Sequence, residues 1–151
     1  MRTQLAEFGI EWSVKQIKSQ LREGHAVHAD RQSGKTTALF EYVHELTQSN
    51  AVPVIGFLSP NYNMSRCVEG LYRVRYQEKI DRGYGYVSPR FTRVLFCAAH
   101  DHLKLNGLTS TVVVDEWWIL GDQTRRELLQ GELRIIAAVG TIPAYAQVPL
   151  Y

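Results

Sequence analysis

The chain reads as an α/β domain: a mainly parallel sheet with helices on both faces. Three observations predict this. Apolar, β-branched runs of strand length alternate with stretches whose apolar residues recur at helical spacing. One strand–loop–helix unit surrounds Gly34-Lys35-Thr36. A second strand-like run, Thr111-Val112-Val113-Val114, ends in two carboxylates, Asp115 and Glu116.

The elements follow in order. Ile10, Val14, Ile17 and Leu21 share one helical face, which predicts an amphipathic helix over 10–23 that Gly24 ends. Gln16 and Gln20 lie just ahead of the first strand. Each reads either as an adenine contact or as a solvated helix glutamine. His25-Ala26-Val27-His28-Ala29 is a short buried strand. After a loop, Ala38, Leu39, Tyr42, Val43 and Leu46 predict a helix to about residue 48, where Ser49-Asn50 breaks it. Ala51 to Leu58 is a second strand, and Pro53 near its start fits an edge position. Ser59-Pro60-Asn61 is a turn or cap. Met64, Val68, Leu71, Tyr72 and Tyr76 predict a helix to about Ile80, followed by a loop over 81–86. Thr92–Ala98 is the third strand, Leu103–Gly107 a turn, and Thr111–Glu116 the fourth strand. Asp122–Gln130 is a short helix ended by Gly131, and Arg134–Thr141 is the fifth strand. The domain spans 1–145, and 146–151 reads as a tail or linker.

With 151 residues the chain has room for one domain with a sizeable core. Its 45% hydrophobic and 21% charged residues are ordinary for a soluble globular protein. A net charge of +2 permits a nucleic-acid partner without demanding one. No apolar run reaches membrane-span length, so no membrane partner is expected, and Met1-Arg2-Thr3-Gln4 leads into no signal-peptide core. Cys67 and Cys97 make no metal-ligand pattern and read as buried or free thiols in a reducing cytosol.

The chemistry concentrates in two stretches. Ala29-Asp30-Arg31-Gln32-Ser33-Gly34-Lys35-Thr36-Thr37 has the spacing of a phosphate-binding P-loop, with Ala29 where glycine is usual. Between a strand and a helix, the loop N–H groups and the positive helix end face one point, where an anion sits. Lys35 then reaches the β- and γ-phosphates of ATP, Thr36 places its hydroxyl on Mg²⁺, and Gly34 lets the backbone approach the phosphate. The alternative is a chance match in an ordinary loop. In the second stretch, the carboxyl end of the fourth strand is expected to lie beside the first strand and meet the nucleotide. Asp115 holds Mg²⁺ through water, and Glu116 orients or deprotonates the attacking water. The alternative is a buried strand stopping at a polar turn. Trp117 and Trp118 follow, at least one of them packing under the sheet. Gly140-Thr141 ends the fifth strand, where a sensor of the γ-phosphate belongs.

On these motifs the chain resembles the ATPase domain of the large terminase subunit, the DNA-packaging motor of tailed phages. Arg31-Gln32-Ser33-Gly34-Lys35-Thr36, Asn106-Gly107 ahead of Val112-Val113-Val114-Asp115-Glu116, and Val139-Gly140-Thr141-Ile142-Pro143 carry the resemblance over roughly 10–145. Asn106 stands where an arginine is expected, and Trp117-Trp118 where a small residue is usual. The resemblance implies a P-loop NTPase fold of the ASCE/RecA-like kind, five-stranded, with strand order 5-1-4-3-2. It also implies a homo-oligomeric ring acting on double-stranded DNA in the host-cell cytoplasm, with a portal and a small terminase subunit as partners. Arg31 becomes a candidate cis arginine finger. Nuclease activity is not expected, because after Glu116 only Asp122, Glu127 and Glu132 are acidic. The chain then reads as an isolated ATPase domain or a small relative. Two alternatives stand beside it: the first motor domain of a helicase or translocase, and a non-catalytic nucleotide-binding module.

A DNA face is sought in residues 66–93, where seven basic and three acidic side chains give +4. Arg75, Lys79 and Arg82 fall on one helical face there, with tyrosines interleaved. The alternative is a solvated helix face with tyrosines packed on the sheet. Arg125 and Arg126 are candidates for a residue acting in trans, or simply an exposed basic face. Lys15, Lys18 and Arg22 form a second basic face on the first helix.

Overall fold

The computed structural model describes residues 2–5, 13–29, 34–49, 52–81 and 93–142, with backbone alone at 2–5, 77–81 and 93. Six parallel strands form one sheet: β1 (Arg2–Leu5), β2 (His25–His28), β3 (Val54–Ser59), β4 (Arg93–Ala98), β5 (Thr111–Asp115) and β6 (Arg134–Gly140). Four α-helices connect them: α1 (Val14–Arg22), α2 (Lys35–Ser49), α3 (Tyr62–Asp81) and α4 (Asp122–Gln130). A 3₁₀ segment, Ala99–Leu105, stands where a turn over 103–107 is expected.

The sheet order is β1-β2-β6-β5-β3-β4. The expected order 5-1-4-3-2 is therefore corrected to 1-5-4-2-3 for those five strands, with β1 added outside the first. Burial gives the physical reason. Ala137, Ala138 and Val139 of β6 are fully buried, and a strand covered on both faces belongs in the sheet interior. Their small side chains let β6 fit between β2 and β5, with Val27 beside Val139 and Val113 beside Ala137. Val94 to Cys97 of β4 are half-buried, as suits an edge. The expectation that the β5 strand lies directly beside β2 is corrected with it, since β6 intervenes. Pro53 is also placed differently. Strand β3 is interior, and Pro53 precedes its first residue, where no ladder N–H is needed.

The helices cover both faces for a topological reason. The β1→β2, β2→β3 and β3→β4 connections step one way across the sheet, and β4→β5→β6 steps back. With one crossover hand throughout, α1, α2 and α3 fall on one face and α4 on the other. The core divides accordingly. Ile17, Leu39, Val43, Phe57 and Val113 pack on the first face, and Leu58, Val114, Trp117, Trp118 and Leu128 on the second. Each such side chain, fully buried, contributes about 1.5–3 kcal/mol of transfer free energy.

Local chemistry sets the first helix. Ser13 and Gln16 form a reciprocal capping box: the Gln16 N–H donates to Ser13 Oγ at 3.3 Å, and the Ser13 N–H to Gln16 Oε1 at 2.8 Å. The described helix starts at Val14, and the expected first turn from residue 10 lies outside the described residues. Among the described residues, no helix is long and apolar enough to cross a membrane.

Candidate functional site

Strand β2 hands the chain to α2 on one sheet face, and β5 hands it to α4 on the other. Between parallel strands, such a reversal opens a crevice at the carboxyl edge of the sheet. The carboxyl end of β6 forms its floor.

Gly34 opens α2 with φ +80°, and a Cβ there would stand 2.6 Å from Val14 Cγ2. Glycine is thus required twice over, by the left-handed backbone and by the packing of α1. The first turn of α2 carries no acidic residue. Its positive end is instead next to buried Lys35, an arrangement that favours an anion in front of it.

Lys35 reaches across the crevice. Its Nζ lies 3.1 Å from Glu116 Oε1 and donates to Thr141 Oγ1. The Thr141 hydroxyl in turn donates to the Ala29 carbonyl at 3.0 Å, and the Thr141 N–H faces Glu116 Oε2 at 3.4 Å. The Ala29 N–H donates to the Gly140 carbonyl, continuing the β2–β6 ladder. Three strand ends are thereby tied through one lysine.

Glu116 reaches this position by an unusual backbone. Its φ of 57° and ψ of 48° are left-handed, the only positive φ at a non-glycine among the described residues. In a continuing strand, Glu116 would face the side opposite Asp115. The left-handed turn, at a cost of about 1–2 kcal/mol, brings both carboxylates to the crevice. Gly140 makes room for it: a Cβ there would lie 3.0 Å from Trp117 N and 3.2 Å from Glu116 Cα.

Asp115 is 2% exposed, and Thr36 Oγ1 faces its Oδ1 at 3.5 Å. Burial pushes the Asp115 carboxyl up to about 7, the Glu116 charge adding to this and Lys35 opposing it. With its hydroxyl on an octahedral Mg²⁺ at about 2.0–2.1 Å, Thr36 would leave the Asp115 carboxylate, 3.5 Å from that hydroxyl, in reach of a water the ion carries.

The structure brings together Ala29, Gly34, Lys35, Thr36, Asp115, Glu116, Gly140 and Thr141. Thr37 lies in the same first turn of α2, half-buried. Asp30, Arg31, Gln32 and Ser33 lie outside the described residues. The two glutamines are engaged elsewhere: Gln16 in the capping box, and Gln20 at 2.8 Å from His25 Nδ1. Trp117 and Trp118 both pack into the core.

Of the expected DNA face, Arg75 alone has a described side chain. Arg75 turns to Glu41 of α2, Nη2 to Oε1 3.6 Å, and its guanidinium lies over the Tyr76 ring. Lys79 is on α3 with its side chain undescribed, and Arg82 lies outside the described residues. Lys18 and Arg22 of the alternative face both pair with Glu45. Arg125 bonds Asp122, while Arg126 is exposed.

One residue of the crevice escaped sequence reasoning. His28 Nδ1 accepts the Ile142 N–H at 2.7 Å, and its ring meets Trp118 edge-on at 5.9 Å. It braces the chain just past Thr141. The available signal was a titratable residue at the carboxyl end of a strand, one position before the loop.

The fold and site define an α/β protein with a candidate anion and cation crevice. No protein-family model matches the chain, and no curated protein matches it.

Proposed function

We propose that the protein is a Mg²⁺-dependent ATPase, a P-loop motor domain of the terminase large-subunit kind that couples ATP turnover to movement of double-stranded DNA. The observation that carries the reading is the convergence of Lys35, Thr36, Asp115, Glu116 and Thr141 from three strand ends in front of one helix N-terminus. Their roles follow from chemistry. Lys35 leaves Glu116 and Thr141 to pair with phosphate oxygens, a stronger anion than a single carboxylate. Glu116, released from Lys35, orients the attacking water and accepts its proton. Thr36 and Asp115 would hold Mg²⁺, which neutralises charge on the phosphates. Thr141, bonded to Lys35, exchanges that contact when phosphate enters and so reports occupancy to β6. Arg31 is assigned the cis finger that meets charge developing during transfer. Ring assembly, the portal and small-subunit partners, and a host-cytoplasm location belong to this reading through the motif resemblance, and the DNA contact at Arg75, Lys79 and Arg82 through the basic character of residues 66–93.

The test is ATP turnover by the purified protein with and without Mg²⁺ and double-stranded DNA. Turnover that needs Mg²⁺, rises with DNA and is absent in Lys35→Ala is expected. Turnover unchanged in Lys35→Ala would overturn the assignment.

A further inference from the structure

Ser59 ends β3 and is completely buried, and its Oγ has no hydrogen-bond partner among the described residues. Such a group is costly and calls for a ligand. Its neighbours narrow the possibilities. Strands β3 and β5 pair through Leu58 and Val114, and Ser59 and Asp115 each follow directly on that pair. Alternation puts Ser59 on the face of Phe57 and Asp115 on the face of Val113, and both belong to the core under α2. Ser59 and Asp115 therefore share a face and a level at the carboxyl edge. On the other side Ser59 is paired with Ala98, which offers no polar side chain. Nor does Ser59 cap α3, since the Met64 N–H is taken by Asn61 Oδ1 at 2.9 Å.

We propose that Ser59 is a further residue of the crevice, its hydroxyl holding a water in the hydration shell of a divalent cation bound between Thr36 and Asp115. The inference rests on the Mg²⁺–ATP reading of the site. Ser59 is a positioning residue: it touches the cation's water and fixes the side from which Asp115 meets it. Outer contacts of this kind typically change metal affinity 10–100-fold.

The probe is Mn²⁺, titrated by electron paramagnetic resonance into the protein with a non-hydrolysable ATP analogue. Wild type should bind Mn²⁺, and Asp115→Asn should lose it. Ser59→Ala should weaken Mn²⁺ binding about 10-fold, leave analogue binding in EDTA unchanged, and melt no lower than wild type without ligand. Ser59→Cys, close in size and a poor hydrogen bonder, should follow Ser59→Ala. Mn²⁺ affinity equal to wild type in both variants would overturn the Ser59 assignment alone. Absence of Mn²⁺ binding in wild type would overturn the site reading beneath it.

Discussion

Replacing Asp115 by Asn should stabilise the ligand-free protein at pH 8 and have much less effect at pH 5. Asp115 is 2% exposed, and burial raises its carboxyl from 3.8 to about 7. In the unfolded chain it loses its proton near 3.8, in the folded chain near 7. Between those values the folded state binds more protons, so stability falls as pH rises through that window. At about 1.36 kcal/mol per pH unit, the full cost above pH 7 is about 4 kcal/mol. Asn removes the charge but still needs polar partners, so about half of that should be recovered. For a domain of this size that is a rise in melting temperature of roughly 4–8 °C at pH 8. At pH 5 the wild-type carboxyl is already protonated, and the two proteins should melt within about 2 °C of each other. Thermal unfolding by circular dichroism, in EDTA without nucleotide, reads both values. Subtracting variant from wild type at each pH cancels the titrating groups remote from Asp115. A variant equally stabilised at both pH values, or less stable at pH 8, would refute the view of Asp115 as a buried charge awaiting a cation.

Three further perturbations probe the surroundings. Gly140→Ala places a Cβ 3.0 Å from Trp117 N and 3.2 Å from Glu116 Cα, so it should cost about 1–3 kcal/mol and displace Glu116; an unchanged denaturation midpoint would contradict that packing. His28→Ala removes the acceptor of the Ile142 N–H and should cost about 1 kcal/mol, most of it restored by His28→Asn, whose Oδ1 falls near Nδ1; equal stability of the two variants would dismiss the hydrogen bond. Because Arg75 is held by Glu41, the pair Lys79→Glu and Arg82→Glu should suffice to weaken DNA binding and reduce its salt slope by about two. An unaltered slope would move the DNA contact elsewhere.

Helix and strand identities were legible because they rest on local periodicity. The helices expected to end near 48 and 80 end at Ser49 and Asp81. Strand order was not legible, because it depends on which buried faces meet across the sheet. Ala137 and Ala138 indicate an interior strand only once their burial on both faces is known. Strand β1, Arg-Thr-Gln-Leu, is short and polar and offered no apolar run to read. That Gly34 to Thr36 meet Asp115 and Glu116 at one sheet edge was expected from motif spacing together with the flanking strand and helix patterns. The left-handed Glu116 was not, since nothing in Asp-Glu-Trp-Trp announces a positive φ. The Ser13–Gln16 capping box did carry a sequence signal, serine followed three residues later by glutamine, and it accounts for a glutamine that otherwise reads as an adenine contact.

Glu116→Gln separates binding from chemistry and therefore tests the central claim most directly. The amide keeps the size of the side chain and its place near Lys35 and Thr141, but it cannot take a proton from water. Binding of a fluorescent ATP analogue should persist within a few-fold of wild type, while turnover should fall by at least about 100-fold. Turnover at the wild-type rate in a variant that binds nucleotide normally would remove Glu116 from the reaction and contradict the account.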